Sequence, residues 1–430
     1  AEDYLLAGRA LTLPDFVATL VPSFYGGTLG VGESVYRFGV ANWLMQGAPY
    51  YVFALLYAAF LAGRVRVAPG MTLPDHLERA CGRPAAVLGG FLLFLLTNPA
   101  SEALMLGTLG RWVTGWPLPA CLALTLAGCL AFLFRGGLRS DVAANRLHFV
   151  LMFAGFACVL PFAWRAAGSP LSLGARLPAE LLRPLGGQSP LYVLSWTFIA
   201  LWTFVDPSFH QRVSAARDAR VARAGIAVSV FFWFVFDAMT TTAGLYARAL
   251  EPALTQPLEA YPRLAAAVLP GAARGLFLAG VAASTAAALA SHSFLSAISL
   301  ARDTLGRVLG AGERAEKWVG AGLVASALLS FAMALALPSV VALWYVLGST
   351  IIPGLLLPTL SCYFEPLRLK PRWTLAVSLA GWLGATAAWA AGKEFPFYPG
   401  LAASVAVWVL GKLLKRTPRG ATVVANTSAA

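Results

Sequence analysis

Residues 20–33 read Leu-Val-Pro-Ser-Phe-Tyr-Gly-Gly-Thr-Leu-Gly-Val-Gly-Glu and lie inside a long apolar run. One proline and four glycines fall within eleven of these residues, which disfavours an uninterrupted helix. A helix that breaks near the middle of a membrane frees backbone groups to bind an ion or a substrate. Pro22, Gly26, Gly27 and Gly30 are the residues expected to form such a break. The alternative is a proline kink whose glycines only permit close helix packing.

The composition predicts that lipid surrounds most of this chain. Of its 430 residues, 59% are hydrophobic and 12% charged, whereas a soluble domain has about 25% charged residues. This excludes a soluble enzyme, and neither an ATP-binding G-x-x-x-x-G-K-[ST] sequence nor an H-E-x-x-H or G-x-S-x-G sequence occurs. No enzymatic activity is therefore expected. The five cysteines show no C-x-x-C spacing and are interpreted as packing residues.

The apolar runs predict an all-α membrane protein with about twelve transmembrane helices. A helix needs about 20 apolar residues to cross the hydrocarbon core, and these runs do not alternate as barrel strands do. The predicted spans, numbered 1 to 12, are 14–35, 42–63, 84–109, 117–134, 142–165, 189–206, 222–247, 273–299, 317–336, 338–361, 373–391 and 398–414.

The basic residues predict the orientation. Of the 32 Lys and Arg residues, 23 fall in one alternating set of loops that includes both chain ends. These loops are expected to be cytoplasmic, in a multi-pass protein of a bacterial inner membrane. The net charge of +13 then requires no nucleic-acid partner. Residues 72–83 are amphipathic and are predicted to lie along the inner face of the membrane. The two external connections, 166–188 and 249–271, are predicted to form short surface helices or a lid.

The spacing of irregular helices predicts a repeat. Span 6 stops at Asp206-Pro207, where proline removes a helical hydrogen bond. Irregular helices five spans apart suggest two five-helix units of opposite topology, since an odd number of spans inverts the second unit. The expected units are 1–167 and 168–361, followed by two peripheral helices and a cytoplasmic tail over 362–430.

Five motifs in order resemble the sodium/solute symporter family, which has the LeuT-type fold and includes carriers for sugars, proline, pantothenate and sialic acid. Residues 2–9 resemble the family's DYFLAGR segment, 36–39 match its YRFG, and 136–142 are similar to its GG(L/F)xSDV. Residues 206–218 fit DPxFxQRxxAAxD, and 291–303 resemble SxxxxSxxxxxRD. Family members often carry a further helix before the first motif. Because the chain begins at Ala1 without a Met, a trimmed start is expected.

The resemblance implies a secondary active transporter that moves a small organic solute by alternating access through a five-plus-five inverted repeat. Substrate would lie at the midplane between helices 1, 3, 6, 8 and 10. A sodium ion would lie between the break in helix 1 and the middle of helix 8, held by the carbonyls of Leu20 and Ser23 and by helix-8 hydroxyls. No other cofactor is implied. The substrate and the oligomeric state cannot be read from the sequence.

Helix 8 departs from the family pattern. An ungapped alignment puts Ala287 and Ala288 where the Ser-Thr pair that coordinates sodium normally lies. The nearest hydroxyls belong to Ser284, Thr285 and Ser291. A shifted alignment would make Ser284 or Thr285 a sodium ligand, but it would lose the family matches at Ser291, Ser296 and Asp303. A weakened or lost sodium site is expected, which leaves Na+ and H+ open as the coupling ion.

Ionisable residues within the spans are candidates to replace sodium. Glu33, Glu102, Asp237 and His292 each need a partner or an aqueous cavity, because a charge in the bilayer is costly. Glu102, Asp237 and His292 are the candidates for proton coupling. The alternatives are a packed, hydrogen-bonded His292 and an Asp237 that caps a kinked helix.

Aromatic residues beside the irregular helices are candidate substrate contacts. Phe24, Tyr25, Phe198 and Trp202 are chosen together with Glu102, although aromatic residues in membrane helices often serve packing alone. A solute sensor that does not transport, and an uncoupled carrier, remain the alternative functions.

Overall fold

The computed structural model describes residues 9–136, 141–311, 315 and 317–416. Parts of two motifs and the C-terminal tail lie outside the described residues. They are residues 2–8 of the motif at 2–9, residues 137–140 of the motif at 136–142, and the tail from 417. The rest of the chain is helical, with one isolated β-bridge between Leu11 and Ala216 and no strand in the described ranges.

Helices occupy the place of every predicted span, and they are labelled α1 to α12. Three of them are divided into parts a and b. Their bounds are α1a Leu13–Phe24, α1b Thr28–Phe38, α2 Trp43–Val67, α3a Arg83–Leu96, α3b Ala100–Thr114, α4 Leu118–Gly136, α5 Asp141–Ala167, α6a Pro190–Ile199, α6b Pro207–Ala215, α7 Ala219–Leu250, α8 Gly271–Ile298, α9 Val319–Ala336, α10 Val340–Tyr363, α11 Pro371–Ala390 and α12 Phe397–Arg416.

Eight helices of the described residues are long and apolar enough to cross a membrane. The all-α membrane architecture is therefore confirmed. The count of twelve spans stays a prediction, because the apolar helices Leu118–Phe134 and Pro190–Val205 are shorter than the others. The division into repeats at residues 167 and 361 also stays a prediction.

Three helices are interrupted at the middle of the molecule. A 3₁₀ turn at Tyr25–Gly27 separates α1a from α1b, and α3 loses helical geometry between Thr97 and Pro99. In α6 a short helical turn, Trp202–Val205, follows α6a, and Asp206 then starts α6b. Pro207 has no N–H to donate, and the Asp206 carboxylate accepts the N–H groups of the next two residues instead.

The turn in α1 packs directly on α8 and α10. A Cβ on Gly26 would lie 2.1 Å from the Cβ of Ala288, and a Cβ on Gly27 or Gly30 would lie 2.5 Å from the ring of Trp344. Glycine at these positions therefore lets two neighbouring helices approach the α1 backbone.

Glu33 joins α1b to the start of α10. It accepts hydrogen bonds from the Ser339 hydroxyl at 2.6 Å and from the Val340 N–H at 2.9 Å, and Arg37 lies 3.1 Å from it. This buried carboxylate is satisfied by a helix N-terminus and a cation, as an intramembrane charge requires.

Small polar side chains hold α3, α8 and α9 together. The Ser296 hydroxyl donates to the Phe94 carbonyl at 3.0 Å, and Ser326 donates to Ser296 at 3.0 Å. The Ser330 hydroxyl donates to the Asn98 side chain at 2.9 Å. Interhelical hydrogen bonds of this kind stabilise helix packing in lipid.

A surface helix, Leu73–Cys81, follows α2 at the predicted amphipathic segment. Beyond Ile298, α8 continues as a π-helical segment, Ser299–Gly306, and this end of α8 forms an ion cluster with the acidic side chains of the surface helix. Asp75 and Glu78 meet Arg302, Asp303 and Arg307, with N–O distances of 2.6–3.2 Å. Burial raises the pKa of Asp75, but the arginines and two backbone N–H groups lower it to about 2. The cluster thus contains an ionised carboxylate at neutral pH.

A buried hydrogen-bonded chain connects the surface helix to α10 and α6b. The Nδ1 atom of His76 lies 2.6 Å from the Tyr363 hydroxyl, which lies 3.2 Å from Nδ1 of His210. The Nε2 atom of His210 lies 2.8 Å from the carbonyl oxygen of Phe204. Burial lowers the pKa of His76 to about 4, so this imidazole is neutral at neutral pH.

The two long connections contain short helices, as predicted. The first has 3₁₀ turns at Pro170–Ala175 and Ala179–Leu182. The second has a 3₁₀ turn at Pro257–Glu259 and a helix at Ala260–Val268.

Candidate functional site

The three interruptions meet at one central cavity of about 150 Å³. Helices α1, α2, α3, α6, α7, α8 and α10 supply its walls. Of the sequence-predicted residues, those that line it are Leu20, Ser23, Phe24, Tyr25, Gly27, Glu102, Trp202, Asp237 and His292.

Glu102 and His292 lie within hydrogen-bond distance of each other in the wall of this cavity. The His292 Nδ1 atom lies 3.1 Å from Glu102 Oε1, and the Ser101 hydroxyl donates to Glu102 Oε2 at 2.9 Å. The break in α3 precedes Glu102 directly, and α8 carries His292. The Glu102 side chain is 6% exposed and that of His292 is 26% exposed. Both side chains line the cavity, and the imidazole is the more exposed of the two.

Asp237 lies in the middle of an unbroken α7, and it accepts a hydrogen bond from the hydroxyl of Tyr51 in α2. Because α7 is continuous from Ala219 to Leu250, Asp237 lies within the helix and not at one of its ends. The neighbouring Thr240 hydroxyl donates within the helix to the Phe236 carbonyl at 2.9 Å. Asp237 instead joins α7 to α2 at the wall of the cavity.

The sequence reasoning missed several wall residues. The polar ones are Gln46, Tyr50, Asn98, Ser101, Asp206 and Ser208, and the aromatic ones are Trp196, Phe209 and Trp344. Asp206 had been noted only as the point where span 6 stops. A signal was available in its position, because an N-cap at a midplane break places a carboxyl group beside the backbone groups that the break frees.

Phe198 is the predicted substrate contact that does not line the cavity. Its ring stacks on Phe397 of α12 with centroids 5.8 Å apart, and it meets Tyr398 edge-on. The helical period explains the difference, since Trp196 and Phe198 lie on different faces of α6a and Trp196 faces inward.

The residues predicted to bind sodium do not lie together in one site. Leu20 lies within α1a, and its carbonyl accepts the Ser23 hydroxyl at 3.0 Å. The hydroxyls of Ser284 and Thr285 both donate to the Val281 carbonyl, at 3.1 and 3.0 Å. At the next turn of α8 the methyl group of Ala288 contacts Gly26, where a hydroxyl ligand would otherwise face helix 1.

Ala287 and Ser291 face another space. They line an apolar crevice of about 750 Å³ between α3, α4 and α8, on the side of α8 away from α1. Pro22 and Gly30 lie above and below the turn in α1, outside the cavity lining.

A family model described as the sodium:solute symporter family matches residues 4–356. Sodium/glucose cotransporter 4 of Mus musculus is 25% identical over 338 residues, covering 67% of this chain and 49% of that protein. The Danio rerio protein of the same name is 24% identical over 336 residues, covering 67% and 51%. The chain thus spans about half the length of these two relatives.

Solved structures of transporters share the fold. A Na+-coupled sialic acid symporter in a substrate-bound outward-open state has a TM-score of 0.73 at 14% identity, with 96% of this chain and 91% of that chain covered. Mhp1, a nucleobase-cation-symport-1 family transporter, has a TM-score of 0.62 at 14% identity, with 95% and 93% covered. These similarities confirm the LeuT-type fold. With the family model matching most of its length, the chain belongs to the sodium:solute symporter family.

Proposed function

We propose that this chain is a secondary active transporter that binds a small organic solute in the central cavity and moves it by alternating access. One observation carries the proposal: the interruptions of α1, α3 and α6 all border the same cavity at the middle of the molecule. Interrupted helices around a midplane site are the arrangement through which transporters bind solutes. Family membership supports this function.

The proposed transporter has both termini in the cytoplasm of a bacterial inner membrane, as the excess of Lys and Arg on one side favours. Residues 1–167 and 168–361 are its two inverted repeats, and 362–430 are peripheral.

The proposed coupling ion is a proton carried by the Glu102–His292 pair. Histidine changes charge near neutral pH, and here it faces the solute cavity with a carboxylate 3.1 Å away. The other charged groups near the imidazole are Asp206 and Arg212 of α6b. The side chains of Ala287 and Ala288 offer no oxygen to sodium, so a proton is the better supported ion.

Counterflow in proteoliposomes tests transport, with labelled sugars, amino acids, carboxylates and amines as the panel. Trapped pyranine reports proton movement on addition of a transported solute. We expect exchange of at least one solute and solute-dependent proton movement that is the same with and without sodium. Glu102→Gln should reduce proton movement at least tenfold while exchange persists.

Two results would contradict the proposal. Uptake driven by a sodium gradient and unaffected by a pH gradient would exclude proton coupling. Binding of a panel solute without any exchange would identify a sensor and exclude transport. Glu365→Gln is the matched control, because Glu365 is 84% exposed and remote from the cavity.

A further inference from the structure

The ionisable groups that line the central cavity are predominantly acidic. Glu102, Asp206 and Asp237 contribute carboxylates, and His292 is the basic residue. Neither a lysine nor an arginine lines the cavity among the described residues. A solute carboxylate would therefore meet repulsion here.

Two of these carboxylates have no ionic partner. Glu102 pairs with His292, but neither Asp206 nor Asp237 forms an ion pair with another described residue. Asp206 accepts the Ser208 N–H at 2.7 Å, and Asp237 accepts the Tyr51 hydroxyl. These donors are neutral. A buried carboxylate without a countercharge is costly to ionise, so a cation in the cavity would favour the ionised form of both groups.

Arg212 of α6b is a basic residue close to this region. Its guanidinium donates to the Ser208 carbonyl at 3.0 Å. It is absent from the cavity lining, whereas Ser208 is part of it. Among the described residues, the cavity wall therefore presents acidic side chains and no arginine side chain to a ligand.

Aromatic rings form much of the remaining wall. Trp196, Trp202 and Trp344 come from α6 and α10, and Phe24 and Tyr50 come from α1 and α2. Phe24 and Tyr50 meet edge to face with centroids 5.3 Å apart. The faces of such rings attract organic cations, and the attraction grows when water is excluded.

The volume limits the size of the solute. A cavity of about 150 Å³ equals an engineered protein cavity that holds benzene, a molecule of about six non-hydrogen atoms. A hexose has about twice as many non-hydrogen atoms and exceeds this space.

We propose that the central cavity selects a small organic cation, a protonated or quaternary amine of about five to eight non-hydrogen atoms. Asp206 and Asp237 supply the countercharge and the aromatic rings supply cation–π contacts. The inference rests on the proposed function, because it assumes that the central cavity is the transport site.

Three probes of similar shape test the charge preference: tetramethylammonium, neutral tert-butanol and the anion pivalate. Quenching of tryptophan fluorescence and calorimetry on the purified full chain measure their affinities. We expect tetramethylammonium to bind at least tenfold more tightly than tert-butanol, and pivalate to show no saturable binding. Equal affinities for the cation and the alcohol would overturn the inference.

Asp206→Asn and Asp237→Asn test the two carboxylates. Asparagine caps helices about as well as aspartate, so Asp206→Asn should preserve α6b while reducing tetramethylammonium affinity at least tenfold. Asp218→Asn is the matched control, because Asp218 caps α7 in the same way outside the cavity. Unchanged affinity in both cavity variants would contradict the inference, provided thermal unfolding shows that they are folded.

Counterflow of labelled tetramethylammonium separates this inference from the proposed function. Exchange of the cation supports both. Exchange of sugars or carboxylates without exchange of the cation keeps the transport function and overturns the cation preference. Binding of the cation without exchange of any panel solute keeps the preference and overturns transport.

Discussion

At the scale of single residues, Gly26 and Ala288 decide how closely α1 approaches α8. Ala288 is also one of the two alanines found where the family resemblance implies hydroxyl ligands for sodium, and here its methyl group packs against the α1 turn. Alanine at both positions cannot be accommodated, because their Cβ atoms would lie 2.1 Å apart.

Gly26→Ala should destabilise the protein by about 1–3 kcal/mol, because the extra methyl group overpacks the contact. Ala288→Gly in the same chain should restore much of this loss, since the new Cβ then meets the Cα of residue 288 at 3.5 Å and the Ser284 carbonyl oxygen at 3.8 Å, both ordinary contact distances. Thermal unfolding in nanodiscs measures both variants. Gly275→Ala is the control, because nothing lies within 4 Å of its Cβ position. If the double variant is no more stable than Gly26→Ala, the contact does not limit packing.

The cavity residues show what the sequence could predict at this scale. Glu102, Asp237 and His292 could be identified because ionisable side chains inside an apolar membrane span are rare and energetically costly. Gln46, Tyr50 and Trp344 were not, because polar and aromatic side chains on a membrane helix give no sign of which face turns inward. Phe198 was misplaced by the same ambiguity.

At the scale of elements, apolar length determined the helix positions well. Span 10 was predicted at 338–361 and α10 extends from Val340 to Tyr363. The sequence could not predict that Glu33 caps α10 or that the surface helix pairs with the end of α8. Those contacts join residues more than two hundred positions apart, and only packing in three dimensions selects them.

The ion cluster between the surface helix and α8 should make stability depend on acid. A carboxyl pKa lowered from 3.8 to about 2 adds about 2 kcal/mol of stability. Because the folded-state pKa is the lower one, this contribution is complete above about pH 4 and is lost as the pH falls toward 2.

Asp75→Asn should therefore lower the unfolding temperature at pH 6, and its difference from the natural chain should shrink between pH 4 and pH 2. Unfolding temperatures across this range provide the measurement. Glu365→Gln should show no such effect, because its ion pair with Arg368 is largely exposed. A difference that stays constant down to pH 2 would show that ionised Asp75 does not stabilise the fold.

At the scale of the whole molecule, three segments are tied together at one end. The Leu11 N–H donates to the Ala215 carbonyl at 3.1 Å, and the Arg217 N–H donates to the Leu11 carbonyl at 3.0 Å. Arg66, at the end of α2, donates to the carbonyls of Ala216 and Arg217. The ends of α1, α2 and α6 should therefore move as one body during a conformational change.

Arg66→Gln should loosen this body and slow counterflow of tetramethylammonium several-fold, while the affinity of the cavity stays the same. The side chain lies far from the cavity lining, so binding and movement can be measured separately. Tryptophan fluorescence measures the first and proteoliposome exchange the second. Arg220→Gln removes a comparable exposed cation from the start of α7 as a control. Equal loss of affinity and exchange rate would argue against a separate mechanical role.

The chain of His76, Tyr363 and His210 has a fixed direction. The Phe204 carbonyl only accepts, so Nε2 of His210 carries the hydrogen and its Nδ1 accepts from Tyr363. The tyrosine oxygen then accepts from Nδ1 of His76. The two neutral imidazoles are therefore opposite tautomers, and neither can switch without breaking a bond that the other depends on. The hydrogen-bonded chain ends at Nε2 of His76. This atom is buried, and its lone pair accepts no hydrogen bond from the described residues.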